Sequence, residues 1–149
     1  MNDKLEAYRY ADTMGKSPLD LIITVYDGAL KALRTATEHY RNKKNQDGYN
    51  EIQKARRMVT HLYTTLDTEK GGQVAANLGK MYSWVIAQLS VIEATKDIEQ
   101  IEAVVSALNN LRSGWVELKA RQGVGAKATA ETPERKLDHE TAEHVLTTA

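Results

Sequence analysis

The chain has 149 residues, with 20 lysines and arginines against 20 aspartates and glutamates, no cysteine, and a formal net charge of zero. That length suits one domain with a real core. The balanced charge gives no field to hold a polyanion, and the absent thiols exclude cysteine nucleophiles, thiolate metal sites and disulfides.

The opening residues Met1 to Tyr10 carry Asp3, Lys4, Glu6 and Arg9 with no apolar run. Neither a secretory leader nor a membrane anchor is read there, so a cytoplasmic location without membrane insertion is expected. Residues 1–16 read as a short polar arm with apolar spots at Leu5, Ala7, Tyr8, Tyr10 and Met14, too short to be helical without something to dock on. Ser17-Pro18-Leu19-Asp20 then combines an N-cap serine, proline at the first helical position and an acid three residues after the cap, which predicts a helix start.

From Pro18 to about Lys43, Ile22, Tyr26, Ala29, Leu33, Ala36 and Tyr40 recur at steps of three or four and predict the first helix. Leu19, Leu21, Ile23, Val25 and Leu30 widen its stripe, so the first half carries more apolar surface than one core face uses. Gly28 in mid-helix suggests a second backbone passing close by, and the neighbouring Asp27 reads as a solvated acid or a local acceptor. Asn42 to Gly48 is a polar loop. A second helix is predicted from about Tyr49 to Leu66, with Ile52, Ala55, Val59, Leu62 and Leu66 on one stripe. Lys54, Arg56 and Arg57 fall mostly off it and, without interleaved aromatics, read as a solvated face rather than a nucleic-acid site.

Leu66 to Tyr82 forms the corner around which the helices are arranged. Asp67 and Thr68 supply side chains that hydrogen-bond nearby backbone, and Gly71 and Gly72 tolerate a positive φ. The third helix is predicted from Gly72 to about Ala94, with a seam at Val74, Leu78, Tyr82, Val85, Leu89 and Ile92. Thr95-Lys96-Asp97 breaks it, and Asp97 caps a fourth helix carrying Ile101, Val104, Leu108, Leu111, Trp115 and Leu118. Regular seams of this kind favour inward-facing Leu78, Tyr82 and Trp115. Helices of this length with short connections pack as an antiparallel, up-and-down four-helix bundle, an all-α fold. The expected organisation is an arm over 1–16, the bundle over 17–121 and a disordered tail over 122–149, where apolar periodicity ends.

Chemistry is sparse. His39 and His61 lack the Glu-x-x-His spacing of bundle metal sites. His139-Glu140 with His144 is one residue too long for a zinc-protease helix. Gly123-Val124-Gly125 follows a helix, not a strand, so it is no dinucleotide fingerprint. No catalytic residue, metal or cofactor is expected. The surplus apolar surface near the start of the first helix and at the corner points to a module that binds an amphipathic helix.

Ser17-Pro18, Leu21-Ile22 and Tyr26-Asp27-Gly28-Ala29 with Leu33 and Ala36 open an ordered set of matches. Lys54-Ala55, Leu66-Asp67-x-Glu69-Lys70-Gly71-Gly72, Ala75-x-Asn77-Leu78 with Tyr82, and Leu111-Arg112 with Trp115 complete it. In this set the sequence resembles the flagellar secretion chaperone FliS family over residues 8 to about 118. The resemblance implies a cytoplasmic, non-enzymatic helical bundle that binds the disordered C-terminal segment of flagellin, keeps it from polymerising, and serves the flagellar type III export gate. It also implies partner-binding positions at Tyr8 and Tyr10 in the arm, Ile22, Tyr26 and Ala29 in the first helix, and Leu66, Asn77, Leu78 and Tyr82 around the corner, with Asp67, Gly71 and Gly72 building the corner itself. Thr13 and Lys16 depart from the family's arm pattern. A bundle serving a different amphipathic-helix partner is the alternative.

Overall fold

The computed structural model describes residues 17–128, and their side chains as far as residue 122. Four helices make up these residues: α1 (Pro18–Arg41), α2 (Asn45–Thr64), α3 (Thr68–Thr95) and α4 (Ile98–Ala128). The expected arm with Tyr8 and Tyr10, and residues 129–149, lie outside the described residues.

The capping signals form as the sequence predicts. Ser17 Oγ accepts from the Asp20 amide at 3.2 Å while the Asp20 carboxylate accepts from the Ser17 amide at 3.2 Å, closing a capping box with Pro18 at the first position. Asp67 Oδ1 accepts from the Glu69 and Lys70 amides at 3.1 and 3.0 Å, so the carboxylate satisfies two amides that the helix leaves unpaired. Asp97 Oδ1 accepts from the Glu99 amide at 2.9 Å. The boundaries differ from the expected ones. Helix α2 begins four residues early, at Asn45, and α3 begins at Thr68, with its first turn set off by a break at Gly72 (φ 57°, ψ −138°). Helix α4 continues to Ala128, through Gly123 and Gly125 and past the predicted bundle limit at residue 121.

Cross-helix contacts fix the topology. Along α1, Asp20, Asp27 and Arg41 pair with Lys119, Arg112 and Glu102 of α4 in reverse order. Helix α3 runs opposite α2 in the same way, with Glu93 bound to Arg56 at 2.5 Å and Gly79 beside Leu66 and Tyr63. Each helix packs against its two neighbours in a ring, α1 on α2 and α4, α3 on α2 and α4; α1 and α2 pack most closely, α3 and α4 least. This is the antiparallel up-and-down bundle. Its core runs from Leu19, Ile22, Tyr26, Leu33 and Tyr40 through Ile52, Val59 and Leu62 to Tyr82, Leu89, Ile92, Ile101, Leu108 and Trp115.

Three readings change with the packing. At Gly28 the close neighbour is a side chain and not a backbone, because a Cβ there would lie 2.7 Å from Met58 Sδ. Asp27 is neither solvated alone nor a local acceptor; it takes two hydrogen bonds from the Arg112 guanidinium, at 2.6 and 3.4 Å. The α3 seam is entered at Ala75 rather than Val74: Ala75, Leu78, Tyr82, Val85, Leu89 and Ile92 are buried, and Val74 is 49 % exposed. Stepping back three from Leu78 reaches Ala75, so the helical repeat outranks the larger hydrophobe one residue earlier.

Candidate partner-binding surface

Most of the expected contact positions lie inside the bundle. Ile22, Tyr26, Ala29, Leu78 and Tyr82 are buried and belong to the core. Leu66 is half-buried against that core, and Asn77 is exposed and accepts a hydrogen bond from Gln73 at 2.8 Å. Of the corner residues, Gly71 is buried and its amide donates to the Asp67 carbonyl at 2.7 Å, and Gly72 holds the left-handed reversal.

Tyr26 and Tyr82 meet across the diagonal of the bundle. Their hydroxyl oxygens lie 2.6 Å apart, and the Trp115 indole N–H donates to the Tyr26 hydroxyl at 3.2 Å. The triad links α1, α3 and α4 at mid-core. Burial holds both phenols neutral to a higher pH than usual, Tyr82 well above it, with the neighbouring Tyr26 adding to the effect. Among the described side chains, no buried side-chain nitrogen or oxygen is left without a partner.

The apolar surplus expected near the start of α1 is largely taken up, since Leu19, Ile22, Val25 and Leu30 are all buried. Exposed apolar surface lies on α3 instead. Val74, Met81, Trp84 and Val91 are 49, 36, 39 and 45 % exposed. With Asn77 and Gln88 between them they step by three and four residues along one track, so they form a continuous stripe beside the buried seam. Gln88 hydrogen-bonds Gln100 of α4, which places the stripe at the α3–α4 edge. From Gln100, steps of three and four along α4 pass Ala103, Ala107, Leu111, Gly114 and Leu118. These are mostly small residues, and a Cβ at Gly114 would meet nothing within 4 Å. A tryptophan-bearing ridge thus borders a shallow, small-residue face where two helices pack least closely, the setting that suits an added amphipathic helix.

The sequence reading did not single out Met81, Trp84 or Val91. Their signal was a second apolar track on α3, spaced seven, three and seven residues from Val74, alongside the seam. Large hydrophobic side chains are also exposed at Tyr49 and Tyr63 of α2 and Val116 of α4, and an open depression near the α1–α2 turn is lined by Arg34, Thr35, Glu38, His39, Asn42 and Lys44. Among the described residues no three metal-ligating side chains gather, and no helix is long and apolar enough to cross a membrane.

The comparisons with known proteins agree with one another. The family model described as flagellar protein FliS matches residues 1–122. The chain is 30 % identical over 109 residues to the flagellar secretion chaperone FliS of Salmonella typhimurium, covering 72 % of this chain and 81 % of that protein. It is 28 % identical over 109 residues to the protein of the same name from Campylobacter jejuni, covering 73 % and 85 %, and 24 % identical over 127 residues to that of Bacillus subtilis, covering 82 % and 94 %. The match runs through the capped start of α1, the corner and the core positions Tyr26 of α1, Tyr82 of α3 and Trp115 of α4, and the chain belongs to the FliS family of flagellar secretion chaperones.

Proposed function

We propose that this chaperone binds the disordered C-terminal segment of flagellin in the cytoplasm, prevents its premature polymerisation and presents the complex to the flagellar export gate. The family supports the chaperone class. The observation that carries the partner's chemistry is the exposed stripe of Val74, Met81, Trp84 and Val91 beside the small-residue face of α4.

A segment that is disordered when free pays an ordering cost of about 2–5 kcal/mol on folding against a partner. Burial of apolar area at about 25 cal/mol per Å² offsets that cost, so the partner must bring its own apolar helical face, and the stripe supplies the complement. Trp84 is the natural anchor, since a large aromatic at a groove edge gives the most area per immobilised side chain. In this reading Asn77 and Leu66 touch the segment at the corner end of the stripe. Ile22, Tyr26, Ala29, Leu78 and Tyr82 act from behind, by fixing the position of α3, and Tyr8 and Tyr10 contribute from the N-terminal arm. The chaperone performs no chemical step.

Titration calorimetry with the C-terminal segment of flagellin from the same organism, against a segment from flagellin's central region, tests the reading. Saturable heat with a negative heat-capacity change and a gain of helical circular dichroism is expected for the C-terminal segment alone. No heat with a folded bundle would mean that the scaffold serves a different amphipathic helix.

A further inference from the structure

Two residues of the α3 stripe are amides, and both have the same end occupied. Asn77 Oδ1 accepts from Gln73 at 2.8 Å, and Gln88 Oε1 accepts from Gln100 of α4. Among the described residues neither the Asn77 nor the Gln88 side-chain NH2 group donates to a protein acceptor. Each amide oxygen is engaged within the bundle, while each amide nitrogen keeps its two N–H donors for whatever lies on the stripe.

Their neighbours make those donors decisive. Val74, Met81, Trp84 and Val91 flank them, so a helix that buries the four apolar side chains also covers exposed Asn77 and half-buried Gln88 and removes their water. A covered donor left without an acceptor costs more than the bond it would have made is worth. Charge contributes little to the choice: from Gln73 to Ala94 the charged residues are Lys80 and Glu93, and Glu93 is held by Arg56. Gln88 follows Asn77 by eleven residues, about 16 Å and within about 20° of three full turns, so one straight helix can face both.

We infer that these two donors select the occupant of the stripe: it is a helix that presents hydrogen-bond acceptors, side-chain carbonyls or carboxylates, at positions i and i+11 of an otherwise apolar face. The inference rests on the stripe being the docking surface of the proposed function, and it adds what an apolar face alone does not supply, the register. A purely apolar ridge accepts a helix slid by one turn almost as well as the same helix in place. The amide pair does not, because the slide leaves its donors covered and unpaired. The spacing is the same whether the occupant runs parallel or antiparallel to α3.

Three designed helical peptides that share one apolar face test the inference by titration calorimetry. One carries glutamines at positions i and i+11 of that face, one carries them at i and i+7, and one has leucine at all of these positions. The i, i+11 peptide should bind the unaltered chain about tenfold more tightly than either of the others. With Asn77→Leu and Gln88→Leu combined the order should reverse, the all-leucine peptide binding most tightly, with circular dichroism checking that the bundle is intact. Asn77→Leu alone, at an exposed position, should remove the preference between the two glutamine peptides. An all-leucine peptide that binds the unaltered chain as tightly as the i, i+11 peptide, equal binding of the two glutamine peptides, or binding of none would overturn the inference. Titrating the flagellin segment alongside separates the two readings. A chain that prefers the i, i+11 peptide and ignores flagellin keeps the inference and loses the flagellin partner; one that binds flagellin with no preference among the peptides does the reverse.

Discussion

At the scale of single residues, the Tyr26–Tyr82–Trp115 triad concentrates the polar content of the core in one place. The Tyr26 hydroxyl meets both the Tyr82 hydroxyl, at 2.6 Å, and the Trp115 indole N–H, at 3.2 Å, and is the hub of the triad. Tyr82→Phe removes one hydrogen bond and should cost about 1 kcal/mol. Tyr26→Phe leaves both the Trp115 N–H and the Tyr82 hydroxyl unsatisfied in the core and should cost about 2–3 kcal/mol, with urea unfolding as the measurement. Equal losses would mean that the hydroxyl pair, and not the link to Trp115, carries the energy. The same burial sets an alkaline limit. Because the folded bundle raises both phenol pKa values above the ordinary value of 10.0, the stability they contribute is present below that value and is lost as pH rises through the raised ones. Stability should therefore fall above about pH 10. In Tyr82→Phe, which removes the more strongly shifted group, the fall should be shallower across the same pH series.

At the scale of helices and turns, three glycines have separate physical roles, and alanine distinguishes them. Gly72 sits at φ 57° and ψ −138° with nothing within 4 Å of a built Cβ, so Gly72→Ala should cost about 1–3 kcal/mol from backbone strain alone. At Gly48 a Cβ would fall 2.5 Å from the Tyr40 ring, and Gly48→Ala should cost a similar amount through forced repacking of α1 on α2. At Gly28 the obstacle is the flexible end of Met58, and the gain of about 1 kcal/mol in helix propensity offsets its displacement, so Gly28→Ala should lie within about 1 kcal/mol of the parent. Thermal unfolding of the three variants gives the order directly. The helices themselves were legible because capping boxes, Asp-capped turns and a glycine corner act locally, within three or four residues. What each helix meets was less so. The neighbour of Gly28 and the partner of Asp27 come from helices 30 and 85 residues further along the chain, and no local pattern encodes them.

At the scale of the whole molecule, sequence and structure divide the site differently. Apolar periodicity identified Leu78 and Tyr82 correctly as an inward seam, but it placed the surplus surface on α1, where Leu19, Val25 and Leu30 are buried. The exposed track on α3 became apparent once the ring of four helices showed which side of α3 has no neighbour. An acid at Ile22 would accordingly test the core, and the partner surface is tested at Trp84. Trp84→Glu should leave unfolding within about 0.5 kcal/mol of the parent, as exposed sites usually do, while weakening capture of the flagellin segment by about tenfold or more.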